Sequence, residues 1–385
     1  MLSVARLGLV GALLTVQQAD GAIWRPPTAH ELAADGRYSH LAAIAQHVHQ
    51  HESAHQRVWE RIERMKRSPY ESQATHAPVS MTFERRTAYG TLSMYVGEAY
   101  IGTPPQKVAL AFDLSNSDTM VLDRPITDHG YYDHSKSTSY TANGTDIPIT
   151  PPYHGVVSRD HTTIGSVDSD DHIVAHDQLF MELKAPDEYL MYLPCDGFLG
   201  LGLASHSIGA PSFFQTLIIQ GQIDHPVVGI HVEHEKAHYA HGDIMYFPLA
   251  KAQTWSVPVN GVSVGGKAIT GGSGVNLLGP IDIMSGPQDQ VYDLWDATGV
   301  ENGALPCDGP GPDITFRFGE HLSVTLTKKD YAIPTDEGVC KFAILASPFT
   351  SDTWLLGNLV HEKVYTVLDF GASQGQQRVG LALIK

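Results

Sequence analysis

Apolar residues occur in short runs along most of the chain. Beyond residue 86 these runs are rich in Val, Ile, Tyr and Thr, and frequent Gly and Pro residues separate them. Short runs of β-branched and aromatic residues bounded by turn-forming residues are typical of strands. The pattern therefore predicts a mainly β protein with many turns.

The region from residue 22 to residue 86 has a different pattern. Its apolar residues fall at three- and four-residue spacings, which predicts one amphipathic helix or two helices with a break between them. The residues at these spacings are Leu41, Ile44, Val48, Val58, Ile62 and Met65. The far end of the helix is basic, and the region contains His30, His40, His47, His49, His51, His55 and His76. Two interpretations stay open, a solvated helical face and a basic segment that covers an acidic surface until its histidines are protonated.

The first residues have the pattern of a secretory signal. A start with one positive charge is followed by an apolar core of about ten residues, which is too short to span a bilayer. Small residues, Ala19 and Gly21, then stand at the usual cleavage spacing. We expect a signal peptide over residues 1–21 and no membrane span later in the chain.

Length and charge narrow the functional classes. The chain has 385 residues, which is too long for one ordinary core and predicts two lobes with extensions. It carries 25 basic and 42 acidic residues, a formal net charge of −17. Because phosphate binding requires a basic surface, this balance argues against a nucleic-acid partner.

The clearest candidate for chemistry is the carboxylate of Asp113. It follows the apolar run of residues 108–111 and is itself followed by Leu114 and Ser115. This layout resembles the first active-site loop of pepsin-like aspartic peptidases, in which an apolar strand ends in Asp-Thr-Gly-Ser. By that resemblance Asp113 is the retained first catalytic Asp, Leu114 replaces the Thr, and Ser115 replaces the Gly at a substrate-binding position.

The resemblance extends over residues 89–383 through a series of blocks in the order of that family. These blocks are residues 95–102, 195–202, 213–217, 242–247, 255–259, 265–269, 354–358 and 364–369. The resemblance implies a bilobal acid-protease fold, with two β-barrel-like lobes flanking a cleft and a helical prosegment at the N-terminus. It implies a prosegment over residues 22–86, an N-terminal lobe over 87–248 and a C-terminal lobe over 249–385.

The same resemblance gives expectations about partners. A member of this family needs no cofactor and no metal, and it binds a peptide or protein in its cleft. Its own prosegment is a second partner, and a monomer is expected in the extracellular space or in an acidic vacuolar or lysosomal compartment. A group of histidines, His231, His234, His238 and His241, leaves metal binding as a minor alternative to a solvated loop.

The position of the second catalytic carboxylate can be read in two registers. Aspartic peptidases use two carboxylates that share one proton across a water molecule. Counting back from the Gly286-Pro287 pair that opens a helix places Leu278 over the second Asp, and Gly279 over the following substrate-binding position. A rival register, shifted by four residues, places Asp282 there instead. Under either register the Thr and Gly of the motif are absent.

The flap that closes over the substrate in this family is also altered. The corresponding stretch, residues 147–155, contains three prolines, and proline hinders hairpin pairing. Tyr153 is the candidate for the flap tyrosine that binds substrate.

The cysteines and one sequon complete the set of candidates. The resemblance implies a disulfide between Cys307 and Cys340, and it leaves Cys195 as a buried free thiol. Residues Asn143, Gly144 and Thr145 form an N-glycosylation sequon in a polar stretch.

Three functional hypotheses follow. The first is a secreted aspartic-peptidase homologue that is catalytically inactive or strongly impaired and binds a peptide or protein in its cleft. The second is an active endopeptidase that works at acid pH through Asp113 and Asp282. The third is a structural or surface secreted protein with no cleft function.

Overall fold

The computed structural model describes most of the chain beyond residue 78. It covers residues 79, 81–88, 92–126, 128–147, 154–168, 171–185, 193–203, 211–223, 226–231, 243–269, 274–277, 283–335, 338–347, 352–371 and 375–384. The predicted signal peptide and amphipathic helix lie outside these residues, as do Tyr153 and residues 278–282.

Strands dominate the described part of the chain, which confirms the mainly β prediction. In the first half they are β1 (Phe83–Ala88), β2 (Leu92–Ile101), β3 (Gln106–Asp113), β4 (Met120–Leu122), β5 (Thr141–Ile147), β6 (His154–Gly165), β7 (His172–Ala185), β8 (Gly197–Gly200), β9 (Val227–Ile230) and β10 (Met245–Pro248). In the second half they are β11 (Ser256–Val264), β12 (Lys267–Ile269), β13 (Gly274–Leu277), β14 (Met284–Pro287), β15 (Ala304–Leu305), β16 (Ile314–Phe318), β17 (Leu322–Leu326), β18 (Ala332–Pro334), β19 (Cys340–Phe342), β20 (Ile344–Ser347), β21 (Thr353–Leu356), β22 (Val364–Asp369) and β23 (Arg378–Leu383).

The helices are few and short. They are α1 (Phe213–Ile219), α2 (Gln288–Thr298), α3 (Lys328–Tyr331) and α4 (Asn358–His361), with a 3-10 turn at His134–Lys136. The helix predicted after Gly286-Pro287 is confirmed, since α2 begins directly after Pro287. It ends at Gly299, whose φ of 72° is the left-handed conformation that commonly closes a helix.

Contacts between residues divide the chain into two compact units, one ending at Pro226 and the other beginning at Val227. Strands β9 and β10 belong to the second unit because they pair with β22 and β23 in a four-stranded sheet. The lobe boundary predicted at residues 248 and 249 follows chain order rather than these pairings, and it stays a prediction.

The first unit is built on one eight-stranded sheet that closes on itself. The strand order is β1-β2-β3-β8-β4-β7-β6-β5, and an additional pairing between β2 and β6 closes the ring. Strand β3 lies between β2 and β8, and its residues from Val108 to Phe112 are all buried. A strand buried on both faces reads as a continuous apolar run, which explains the run before Asp113.

Strand β1 crosses the predicted end of the prosegment. It pairs with β2 over its whole length, and Arg85 and Arg86 lie opposite Tyr95 and Met94. Proteases cut most readily at exposed flexible chain. Cleavage at the Arg85-Arg86 pair would therefore require β1 to leave the sheet.

The second unit contains an eight-stranded sheet of its own. A seven-strand path runs β17-β16-β11-β13-β21-β14-β20, and β12 pairs with β11 beside it. The hairpin between β11 and β12 turns at Gly265 and Gly266, whose φ values are 55° and 82°. Two successive positive φ values are typical of the tight turn that matches strand twist, and they explain the glycine pair.

The disulfide between Cys307 and Cys340 is present, which confirms that prediction. It joins the segment after β15 to the start of β19, with the two Cα atoms 5.0 Å apart. Cys195 is a buried free cysteine, also as predicted.

The Cys195 thiol is expected to react only when the first unit unfolds. Burial raises the pKa of this thiol to about 12, and the side chain is 1% exposed. Because the thiolate is the reactive form, labelling by a disulfide-exchange reagent at about pH 8 should be at least about 10³-fold slower than in the unfolded chain. Labelling rates measured with and without denaturant check this, and rapid native labelling would contradict the buried position.

Candidate active site

Asp113 is positioned by the strand that ends with it. Strand β3 runs parallel to β8, with Leu110 opposite Gly197 and Asp113 opposite Gly200. Strand β8 also pairs with β4 in the antiparallel direction, with Met120 opposite Phe198. The loop from residue 114 to residue 119 thus leaves β3, crosses over β8 and returns on its other side as β4.

The Asp113 carboxylate is bonded within its own loop. Its Oδ1 atom accepts a hydrogen bond from the backbone N–H of Ser115 at 2.8 Å, and the Ser115 hydroxyl donates to the same oxygen. Asp113 is half-buried, whereas Ser115 is 9% exposed. The side chain that replaces glycine therefore contacts the candidate catalytic group directly.

The rest of the loop is packed inside the first unit. Leu114 is 1% exposed, and the residues from Asn116 to Thr119 are fully buried. The side-chain oxygen of Asn116 accepts from the backbone N–H of Asp118 at 3.0 Å, which is a local turn typical of Asn. The Asn116 Nδ2 atom is buried and has no hydrogen-bond partner among the residues that the structure describes.

Two glycines allow this loop to pass over the end of β8. A Cβ atom added to Gly200 would lie closer than 3.0 Å to the backbone of Ser117. A Cβ atom added to Gly202 would lie equally close to the backbone of Asn116. Two hydrogen bonds fix this crossing. The N–H group of Leu201 donates to the Asp113 carbonyl at 2.8 Å, and that of Gly202 donates to the Asn116 carbonyl at 3.0 Å. Glycine is needed at both positions because two backbone segments touch there.

The second unit has a strand arrangement of the same kind. Strand β13 runs parallel to β21, with Asn276 opposite Leu355 and Leu277 opposite Leu356. Strand β21 pairs with β14 in the antiparallel direction through Ser285 and Leu355. Both units therefore contain a central strand with one parallel and one antiparallel neighbour. In each unit the parallel neighbour comes first in the chain, and a short segment connects it to the antiparallel neighbour.

The central strands of the two arrangements have similar sequences. In the first unit the strand reads Phe198-Leu199-Gly200, and in the second Leu355-Leu356 is followed by Gly357. The loop between β13 and β14 contains Leu278, Gly279 and Asp282, which lie outside the described residues. Of the predicted site residues, the structure brings Asp113 and Ser115 together and joins Cys307 to Cys340.

A carboxylate that the sequence did not mark as important joins strand β3 to the segment at Gly130. Asp196 precedes β8, and its Oδ2 atom accepts from the backbone N–H of Ala109 at 2.7 Å. Its Oδ1 atom accepts from the backbone N–H of Gly130 at 2.7 Å and lies 3.6 Å from Nδ1 of His129. Asp196 was visible only as part of a sequence block, and its adjacency to an apolar strand was the one available signal.

Two further carboxylates are buried in the first unit. Asp160 accepts hydrogen bonds from the hydroxyls of Tyr132 and Ser139, each at 2.6 Å. Burial and the Asp160 carboxylate raise the pKa of the Tyr132 hydroxyl well above its usual range, so it stays a donor. Glu182 accepts from the Ser158 hydroxyl and contacts Nδ1 of His134 at 2.7 Å. These groups are all satisfied internally, which indicates a structural role.

In the described part of the chain, no group of three or more His, Cys, Asp or Glu residues is arranged to hold a metal ion. Of the histidine group noted in the sequence, His231 is described and the other three lie outside. Among the described helices, none has the length and apolar character needed to cross a membrane.

Comparisons with known proteins agree on one family. A family model described as eukaryotic aspartyl protease matches residues 94–384. The chain is 27% identical to renin of Canis lupus familiaris over 335 residues, which covers 76% of this chain and 80% of that protein. It is 24% identical to embryonic pepsinogen of Gallus gallus, covering 79% and 84%, and 23% identical to cathepsin E-B of Xenopus laevis, covering 75% and 79%.

Proposed function

The chain belongs to the eukaryotic aspartyl protease family, and we propose that it is a member with little or no peptidase activity that binds a peptide or protein. Its mainly β architecture agrees with the pepsin-like fold of that family. The proposal rests on the identity of the residue at the second catalytic position. We assign that position to Leu278.

The parallel strand register supports Leu278. In the first unit the catalytic Asp113 lies opposite Gly200, the residue after the apolar pair Phe198-Leu199. In the second unit the described register ends with Leu277 opposite Leu356, and one further step in the same register would pair residue 278 with Gly357. The equivalent of Asp113 is then a leucine, which has no ionisable group.

The antiparallel strand register supports the same assignment independently. In the first unit Met120, seven residues after Asp113, lies opposite the first apolar residue, Phe198. In the second unit the residue opposite the equivalent apolar residue, Leu355, is Ser285. Seven residues before Ser285 is again Leu278. The rival, Asp282, precedes Ser285 by only three.

The first loop is also poorly suited to catalysis. The working mechanism requires a carboxylate that shares a proton with its partner and holds a water molecule. Here the Ser115 hydroxyl and backbone N–H both donate to Oδ1 of Asp113. Leu114 has no hydroxyl with which to brace the loop. The observation that carries the proposal is therefore the pairing register on the two sides of β21, and the altered first loop adds to it.

Peptide binding is the function that this proposal retains. A homologue that lost only its catalytic groups would keep a cleft able to hold an extended peptide, and the prosegment proposed at residues 22–86 would cover it. The acidic balance of 42 to 25 residues suits such a basic cover, since opposite charges attract across a surface. We further propose a monomer that enters the secretory pathway through residues 1–21 and acts outside the cell or in an acidic compartment.

A binding assay tests this function. Protein freed of residues up to about 78, which keeps strand β1 in its sheet, is mixed with fluorescent peptides from denatured casein, and polarisation and peptide mass are followed together. We expect polarisation to rise while the peptides stay intact, and addition of a synthetic peptide of residues 40–67 to reverse the rise. Cleaved peptides would favour the active endopeptidase, and unchanged polarisation would favour a protein without cleft function.

A further inference from the structure

We propose that Asn143 is an N-glycosylation site and that the fold reserves a break in its first sheet for the glycan. The inference rests on the secretory route in the proposed function. Asn143, Gly144 and Thr145 meet the sequence requirement for this modification, because the middle residue is not proline. No other Asn in the 385-residue sequence is followed by Ser or Thr at the second position, so a single site is assigned.

The sequon coincides with an irregularity in strand pairing. Strand β5 pairs with β6 at Ala142 and again at Asp146, where the partners are Ser158 and Val156. Three residues of β5 separate these two pairs, while only Val157 separates them on β6. The two extra residues of β5 must therefore bulge away from the ladder. The three residues that lie between the two pairs on β5 are those of the sequon.

A bulge at this place is compatible with a large attached group. Strand β5 is the last strand of its sheet, so no described strand pairs along its outer side. The two residues just before the sequon, Thr141 and Ala142, are exposed. Val157 is held from the opposite side by Met181 of β7, so the sheet beneath the bulge does not depend on the sequon.

A glycan here would also protect the sheet. The outer side of an edge strand is a template for pairing with another chain, and proteins commonly block it with bulges or charges. A bulky hydrophilic group on β5 would act in the same way. The glycosylated bulge would then block pairing along the outer side of β5, where no described strand pairs.

The modification has a defined chemistry. The donor is an oligosaccharide joined through its terminal sugar C1 to a lipid diphosphate in the secretory compartment. The Asn143 amide nitrogen forms a bond to C1 as the bond from C1 to the diphosphate oxygen breaks. The lipid diphosphate leaves with the electron pair, and the amide nitrogen loses one proton. No oxidant or reductant is required.

The test is expression of the full chain in a eukaryotic secretory host. We expect protein from the medium to carry one N-glycan, so that peptide N-glycosidase lowers its mass by one glycan and converts Asn143 to Asp. Asn143→Gln and Thr145→Ala should each remove the glycan completely. Thr145→Ser keeps the sequon and is the matched control that should remain glycosylated.

The leader is varied separately so that the two proposals fail in different ways. A second form replaces residues 1–21 with the leader of a known secreted protein. If only this form is exported and glycosylated, the site is correct and the proposed secretory route is wrong. Exported protein from either leader with an unmodified Asn143 would overturn the site.

Discussion

The Asp113→Ala variant is expected to hydrolyse denatured protein at the same background rate as the unaltered chain at about pH 3–5. In a working aspartic peptidase the two carboxylates act as a unit. Loss of one member of such a unit commonly costs on the order of 10⁴-fold in rate. If Leu278 occupies the second position, that unit does not exist, and removal of Asp113 has nothing left to abolish.

The assay needs protein from which residues up to about 78 have been removed, so that a covering segment does not mask activity while strand β1 stays in its sheet. Asp308→Ala, at an exposed position in the second unit, is the matched control for purification and storage. Turnover that a pepsin-type transition-state inhibitor blocks, and that Asp113→Ala and Asp282→Ala each abolish, would contradict the proposed inactivity.

The Gly200→Ala variant is expected to lose at least about 3 kcal/mol of unfolding free energy, at the upper end of what overpacking costs. The added Cβ would lie closer than 3.0 Å to the backbone of Ser117, and no rotamer change relieves a clash between backbone segments. The loop after Asp113 would have to move, which would break the hydrogen bonds of Leu201 and Gly202 to that loop.

Chemical denaturation measures this loss, with Gly274→Ala as the control. The nearest atom to a Cβ at Gly274 is 3.8 Å away, which is an ordinary contact, so that variant should unfold at nearly the parent denaturant concentration. Equal midpoints for the two variants would show that the loop does not cross β8 as described.

Most of the fold could be predicted because its signals are local. The short apolar runs predicted the strands. The Gly286-Pro287 pair gave the start of α2, because proline is accepted at a helix start and not in its interior. The contact-based division after Pro226 could not be predicted, since β9 pairs with β22, more than a hundred residues later in the chain.

The candidate site was predictable only in part. Asp113 was found because an apolar strand leads to it, but the choice between Leu278 and Asp282 depends on strand register. Register is set by pairing partners far away in the chain, and the proposal for Leu278 extends the register of the described pairs on the two sides of β21. The sequence left that choice open because neither candidate is followed by the expected Thr and Gly.

The supporting carboxylates were missed for a related reason. Asp196 bonds to Ala109, 87 residues earlier in the chain, and Glu182 bonds to Ser158 on the neighbouring strand. An acidic residue in a strand looks solvent-exposed when only the sequence is known, because its burial depends on donors supplied by distant segments.

The most direct test of the central claim is an experimental structure in which residues 278–282 are located. We expect the backbone of Leu278 to continue the parallel ladder opposite Gly357, and no carboxylate of the second unit to share a water molecule with Asp113. An Asp282 carboxylate hydrogen-bonded through one water to the Asp113 carboxylate would contradict the account and restore the active endopeptidase.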